Sequence, residues 1–194
     1  MIEPSRTPAP ASTPSGGGVT ARITVREMTL ADCDRVSEIR IRGWQRAYRG
    51  LMPQGYLDSL SVAEDAEVRR ERFTRGGGGE VVNLVAERGG AVAGWAALGP
   101  YREGEVRTGD AELYAIYVSG DHLGSGVGHA LLEESVRRAG ALGRARMFLW
   151  VLKENTPARR FYERAGFRPD GTEEPFEVAG AAVPEVRYVR PLQG

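Results

Sequence analysis

At 194 residues and 41% hydrophobic content, the chain is long enough for one domain with a sizeable core. Its 26 basic side chains balance 26 acidic ones, so no net field draws it onto nucleic acid or a lipid surface. A lone cysteine, Cys33, excludes an internal disulfide framework, and with only His122 and His129 beside it no Cys/His zinc cluster can be assembled; no metal and a reducing, cytoplasmic setting are the expectation.

Residues 1–20 are rich in Pro, Ser, Ala and Gly, bury little and read as a disordered tail, without the apolar core of a signal peptide. No run of about eighteen apolar residues is present to span a bilayer. Order is expected from Arg22-Ile-Thr-Val-Arg26, a short alternating strand. Thr29-Leu-Ala-Asp32 then offers a capping-box start to a helix reaching about Tyr48, interrupted by Leu51-Met-Pro53. Ser61-Val-Ala-Glu64 repeats that spacing and opens a charged helix to about Phe73, closed by a turn at Gly76–Gly79. Strands Val81–Glu87 and Ala91–Leu98 follow, joined by a tight turn at Arg88-Gly-Gly90. In Glu112-Leu-Tyr-Ala-Ile-Tyr-Val118 the alternation places Glu112, Tyr114, Ile116 and Val118 on one face.

Gly124, Gly126 and Gly128 lead into a helix over about 126–141, whose core side reads Leu132, Ser135, Val136, Ala139 and Leu142. Met147–Leu152 is an unbroken apolar strand suited to a sheet centre. Asn155-Thr-Pro157 supplies a cap with proline in the first turn, and Gly166 ends a short helix. Phe167–Val178 and Val186–Arg190 read as the last strands. The order β-α-α-β-β-β-α-β-α-β-β predicts a mixed sheet with helices on both faces.

Alternate glycines between a strand and a helix start present unpaired amides at the positive end of a helix dipole, which suits a phosphate or pyrophosphate. The dinucleotide spacing G-x-G-x-x-G fails, because the third position falls on His129 or Leu131. A P-loop fails because no Gly-Lys pair exists in the chain. Leu123-Gly-Ser-Gly126-Val-Gly128 resembles instead the acyl-CoA signature Q/R-x-x-G-x-G/A of the GNAT superfamily of N-acetyltransferases, departing from it at Leu123. Asn155-Thr-Pro-Ala158-Arg-Arg-Phe161-Tyr162-Glu-Arg-Ala-Gly166-Phe167 resembles that family's second block, at the expected distance. Trp44-x-x-x-Tyr48-Arg-Gly-Leu-Met-Pro53 is similar to the helical start of a common subgroup. The resemblance covers about residues 22–190.

The resemblance implies an α/β (α+β) fold with a mostly antiparallel sheet of six to seven strands, residues 21–194 forming an N-acetyltransferase domain. It implies that strands 111–118 and 146–152 run parallel and splay apart, with acetyl-CoA as co-substrate in the gap. Tyr117 and Val118 would contact the pantetheine arm, Leu123, Gly124, Ser125, Gly126, Val127 and Gly128 the pyrophosphate, and Asn155 the arm near the thioester. Tyr162 matches the tyrosine that protonates the departing sulfur; Glu112 stands where related sequences carry a glutamate facing the acceptor and is the candidate base. The acceptor would be a small-molecule amine or a peptide or protein amino group, and a homodimer is compatible with the family.

The residues leave alternatives open. A phenol with a pKa of about 10 is protonated at pH 7 and able to donate, but Ala158, Phe161, Tyr162 and Ala165 also follow helical core spacing. Glu112 can equally be a salt-bridged strand residue. Cys33 lacks a histidine partner and reads as a small apolar residue, and Ser125 lacks the nucleophile elbow. Trp44, Tyr48 and Tyr56 either wall an acceptor pocket or pack a core. A catalytically silent acyl-CoA-binding module of the same fold is the competing function.

Overall fold

A computed structural model describes residues 22–75, 80–104 and 106–192. The expected amino-terminal tail and the turn at Gly76–Gly79 lie outside the described residues. A seven-stranded sheet runs in the order β1-β2-β3-β4-β5-β7-β6. Its strands are β1 (Ile23–Glu27), β2 (Val82–Arg88), β3 (Ala91–Glu103), β4 (Val106–Val118), β5 (Arg146–Leu152), β6 (Arg168–Val178) and β7 (Ala181–Pro191). Every neighbouring pair is antiparallel except β4 and β5.

Helix α1 (Cys33–Ala47) follows a single 3₁₀ turn, Leu30–Asp32. The predicted Thr29–Asp32 pairing forms: Asp32 accepts from the Thr29 amide at 2.7 Å and hydroxyl at 2.8 Å, and Arg26 of β1 donates twice to the same carboxylate. This ties the helix entry to the sheet edge. A six-residue helix, α2 (Gln54–Ser59), fills the stretch after Pro53, where the sequence offers only an interruption. Ser61 caps α3 (Val62–Thr74) as its spacing predicts, accepting from the Glu64 amide.

On the other side of the sheet α4 (Val127–Ala141) buries Leu131, Leu132, Ser135 and Ala139 against β1–β4. Ser135 is satisfied there by donating to the Leu131 carbonyl at 2.8 Å. Leu142 departs from the expectation: it falls past the last turn and is 64% exposed. Helix α5 (Thr156–Arg164) is capped by Asn155, whose side-chain oxygen accepts from the Ala158 amide.

The main core packs Leu84, Leu98, Leu113, Leu131, Leu149, Val151, Phe167 and Tyr188 between the sheet and the α4–α5 side. A smaller cluster, Met52, Leu57, Leu152 and Val178, joins α2 to the far end of β5 and β6, with Trp44, Tyr48, Tyr56 and Phe176 packed on it.

Candidate active site

Two features of β4 shape the site. Between Ala97–Ala115 and Leu98–Leu113 the register slips, so Tyr114 is an extra residue on β4. Such a bulge exchanges the two faces of a strand. Glu112, Tyr114, Ile116 and Val118 therefore do not share a face as simple alternation predicts. Leu113, Ile116 and Val118 pack toward α4, whereas Tyr114, Ala115 and Tyr117 pack with the cluster under α1. The second feature is divergence: β4 and β5 pair only at Ala111–Met147 and Glu112–Phe148. Beyond that point β4 continues against β3 to Val118, and β5 continues against β7 to Leu152. A V-shaped gap opens between two strand edges that do not pair with each other.

The glycine turn closes the wide end of this gap. Gly124 and Gly126 have φ of +70° and +91°, left-handed conformations that explain why glycine stands there. Within the turn the Leu123 amide bonds to Gly120 and the Ser125 amide to His122. The first helical bond is Ala130 to Gly126. The amides of Gly124, Gly126, Val127, Gly128 and His129 thus make no hydrogen bond among the described residues. No side chain fills the turn: a Cβ at 124 would meet nothing within 4 Å, and one at 126 only Ile23 at 3.5 Å. A Cβ at 128 would lie 3.4 Å from Val118 and 3.6 Å from Phe161, so the turn, the end of β4 and the middle of α5 converge. Leu123 is exposed.

Two cations distant along the chain border the turn. Arg88, 37 positions upstream, donates to the Ser125 carbonyl at 3.4 Å, and Arg46 of α1 donates to the Val118 carbonyl at 3.1 Å. His122 is half-buried beside them and His129 is exposed.

Inside the V, phenols gather. The Tyr48 and Tyr117 hydroxyls lie 3.0 Å apart, and α1 presses so closely on Tyr117 that a Cβ at Gly43 would sit 2.8 Å from its ring. Tyr162 packs edge-on against Phe161 and Phe167 at 5.2 and 6.1 Å between centroids, and its hydroxyl has no hydrogen-bond partner among the described residues. Burial first, and then the nearby Tyr48, hold the Tyr162 phenol well above its ordinary pKa, so it keeps its proton at neutral pH. Burial likewise raises Tyr117 and Tyr48. Asn155 has its oxygen committed to the α5 cap. Trp44 stacks edge-on with Tyr48 at 5.1 Å and walls this side.

Glu112 is 5% exposed, and its carboxylate is occupied. Arg102 donates to it from the backbone amide at 3.2 Å, from Nε at 3.3 Å and from Nη2 at 2.9 Å. Glu185 of β7 is the counterpart that sequence reasoning missed. It pairs in register with Leu152, the last residue of β5, and with Glu174 of β6. Burial, then the carboxylates of Glu174 and Glu112, push its pKa up to about 7. Cys33 is fully buried and burial raises its thiol, which leaves it inert. No group of three or more His, Cys, Asp or Glu among the described residues is placed to hold a metal ion.

A strand pair splayed around a helix entrance with bare amides defines an acyl-CoA transferase architecture, and comparison with known proteins agrees. The acetyltransferase (GNAT) family model matches residues 42–167. The uncharacterized N-acetyltransferase YuaI of Bacillus subtilis is 33% identical over 165 residues, covering 84% of this chain and 90% of its own. The spermidine N(1)-acetyltransferase of Thermoplasma acidophilum is 24% identical over 155 residues, covering 78% and 91%. The crystal structure of the paiA N-acetyltransferase of T. acidophilum in complex with coenzyme A superimposes with a TM-score of 0.70 over 88% of this chain and 99% of that one, at 19% identity. The chain belongs to the GNAT family of acetyltransferases. No helix among the described residues is long and apolar enough to cross a membrane.

Proposed function

We propose that residues 21–194 form an N-acetyltransferase domain that moves the acetyl group of acetyl-CoA to a primary amine by direct attack in a ternary complex. The observation that carries the reading is the set of bare amides at Gly124, Gly126, Val127, Gly128 and His129, gathered at the entrance of a fifteen-residue helix and beside a gap in the sheet. Oriented N–H groups at a helix start favour a diphosphate, and a turn free of side chains lets it approach. Arg88 and Arg46 supply the positive charge that Leu123 does not. The unpaired edges of β4 and β5 suit an extended pantetheine arm, which takes main-chain hydrogen bonds as an added strand does, with Tyr117, Val118 and the free amide end of Asn155 along its path.

In this reading acetyl-CoA brings an activated carbonyl, and the protein holds and moves protons. Tyr162, protonated and without a hydrogen-bond partner among the described residues, gives its proton to the departing sulfur. An alkylammonium with a pKa of about 10 must lose a proton before it attacks, so a carboxylate on the α1–α2 side of the sheet takes it. Glu112 and Glu185 are the candidates on this side of the V. The acceptor is a small-molecule, peptide or protein amine. Calorimetric titration tests the reading: acetyl-CoA binds the wild type and coenzyme A is released when a primary amine is added, and absence of binding would remove it.

A further inference from the structure

The two carboxylates differ in what holds them. Glu112 accepts three hydrogen bonds from Arg102, so its lone pairs are engaged and its charge is balanced. Glu185 accepts none and forms no ion pair among the described residues, although 26 basic side chains are available in the chain. Its neighbour across the β6–β7 ladder is another glutamate, Glu174, and like charges directly opposite each other destabilise a sheet. Its place is also telling. On β7, Val183 packs in the cluster with α2, while Val186 and Tyr188 pack toward α4. Alternation puts Glu185 on the side of Val183 and Arg187, level with the end of β5, where the gap between β4 and β5 is widest.

We infer that Glu185 is the catalytic base that takes the proton of the acceptor ammonium; the inference rests on the transferase reading given above. The charged and titratable groups facing it are Tyr48 of α1, Glu112 of β4, Glu174 of β6 and, on its own strand, Arg187. Arg187 is committed to Asp170 at 2.7 Å, to the Tyr101 hydroxyl at 2.7 Å and to Thr172 at 2.8 Å, and neutralises Asp170 rather than Glu185. Two carboxylates and a phenol, none offering a resident cation, therefore surround a half-buried carboxylate. That environment keeps Glu185 basic enough to accept a proton near neutral pH, and its charge attracts the ammonium that carries the proton.

The step balances without another reactant. Glu185 takes one proton from the ammonium, and the neutral nitrogen forms the C–N bond with the acetyl carbon. As the C–S bond breaks, Tyr162 gives its proton to sulfur and recovers one from the acetylated nitrogen. The products are the amide, coenzyme A as thiol and a protonated Glu185, which returns its proton to water.

Three measurements test this on the full chain: acetyl-CoA affinity by calorimetry, the pH dependence of kcat/KM for thiol release with a panel of primary amines, and carbon NMR titration of the glutamate carboxyls. A carboxyl resonance titrating near pH 7 and missing from Glu185→Gln is expected. Wild-type kcat/KM is expected to rise through that pH. Glu185→Gln should lose about 10²-fold or more with no acidic limb, bind acetyl-CoA within about twofold of wild type, and be partly rescued by Glu185→Asp. Glu112→Gln should keep the limb. An acidic limb that survives in Glu185→Gln, or a Glu185 carboxyl titrating in the ordinary range near 4.3, overturns the assignment alone. A wild type that does not bind acetyl-CoA overturns the transferase reading, and the assignment falls with it.

Discussion

The two flanks of the gap between β4 and β5 are built from opposite materials. The flank at the start of α4 is almost bare main chain: two left-handed glycines, five amides without partners among the described residues and no side chain within 4 Å of a Cβ at Gly124. The flank under α1 and α2 is almost all side chain: Tyr48 on Tyr117, Arg102 on Glu112, Arg187 across Tyr101, Phe148 and Trp150, and Glu185, without an ion pair among the described residues. A ligand common to a whole family can be held by backbone, which every sequence supplies. An acceptor that varies among relatives must be read by side chains. The two flanks should therefore fail in opposite ways, the first when an atom is added and the second when one is removed.

The largest effect follows from adding to the bare flank. Gly126→Glu places a side chain where φ is +91° and sets a carboxylate where the diphosphate is proposed to bind. Backbone strain of about 1–2 kcal/mol and a like-charge contact of several kcal/mol together predict at least a 100-fold loss of acetyl-CoA affinity by calorimetry. Affinity within tenfold of wild type would mean that the turn does not hold the diphosphate.

Removing one oxygen from the α5 side chain that reaches into the gap gives the next largest. Tyr162→Phe keeps the contacts with Phe161 and Phe167 and deletes the hydroxyl. Turnover should fall about 10²-fold while acetyl-CoA affinity moves less than about twofold. A substrate whose leaving thiol is more acidic should recover most of the loss, which a packing defect would not allow.

How far each flank was legible follows the same division. The bare flank was written locally. Glycine spacing, the following helical run and the Asn155–Pro157 cap are short-range signals, and each folds as its local chemistry requires. The side-chain flank depends on long-range register. The bulge at Tyr114 is set by β3 pairing and leaves no mark in the alternation of β4, so Ile116 and Val118 turn away from the face that Glu112 and Tyr114 share. Glu185 falls outside the strand read at Val186–Arg190: β7 begins at Ala181 and runs through Pro184, a residue that argues against a strand, and the structure seats Pro184 opposite Pro175 of β6. Arg102 and Arg88 reach their partners from 10 and 37 positions away. Helix α2 is too short to show periodicity.

A smaller effect sharpens the boundary between the flanks. Arg88→Ala removes a cation that borders the bare turn without altering its conformation, since the hydrogen bond to Ser125 is long at 3.4 Å. A partly exposed charge of this kind contributes up to about 1 kcal/mol, so affinity should fall two- to fivefold, and the loss should shrink as salt is raised. A loss independent of salt would point to altered packing of the β2–β3 hairpin instead.

The smallest effect is on stability, and its sign separates the charge of the acceptor flank from charge placed for folding. Asp32 is held down to about 2, first by its hydrogen bonds with Arg26, so its folded pKa lies below the usual 3.8. The unfolded chain then binds more protons, and the stability Asp32 contributes is lost as pH falls from about 4 toward 2. Glu185 runs the other way. Its folded pKa of about 7 lies above 4.5, so the folded state binds more protons between those values, and stability declines as pH rises through that window. Glu185→Gln removes the decline: Tm should exceed wild type by a few degrees at pH 8, and the difference should vanish near pH 4.5. Asp32→Asn should lower Tm at pH 7 and converge with wild type near pH 2. Finding that Glu185→Gln destabilises at pH 8 would mean that its carboxylate is paired within the fold. Finding the gain would identify a charge retained at the expense of stability, beside the gap proposed to receive the amine.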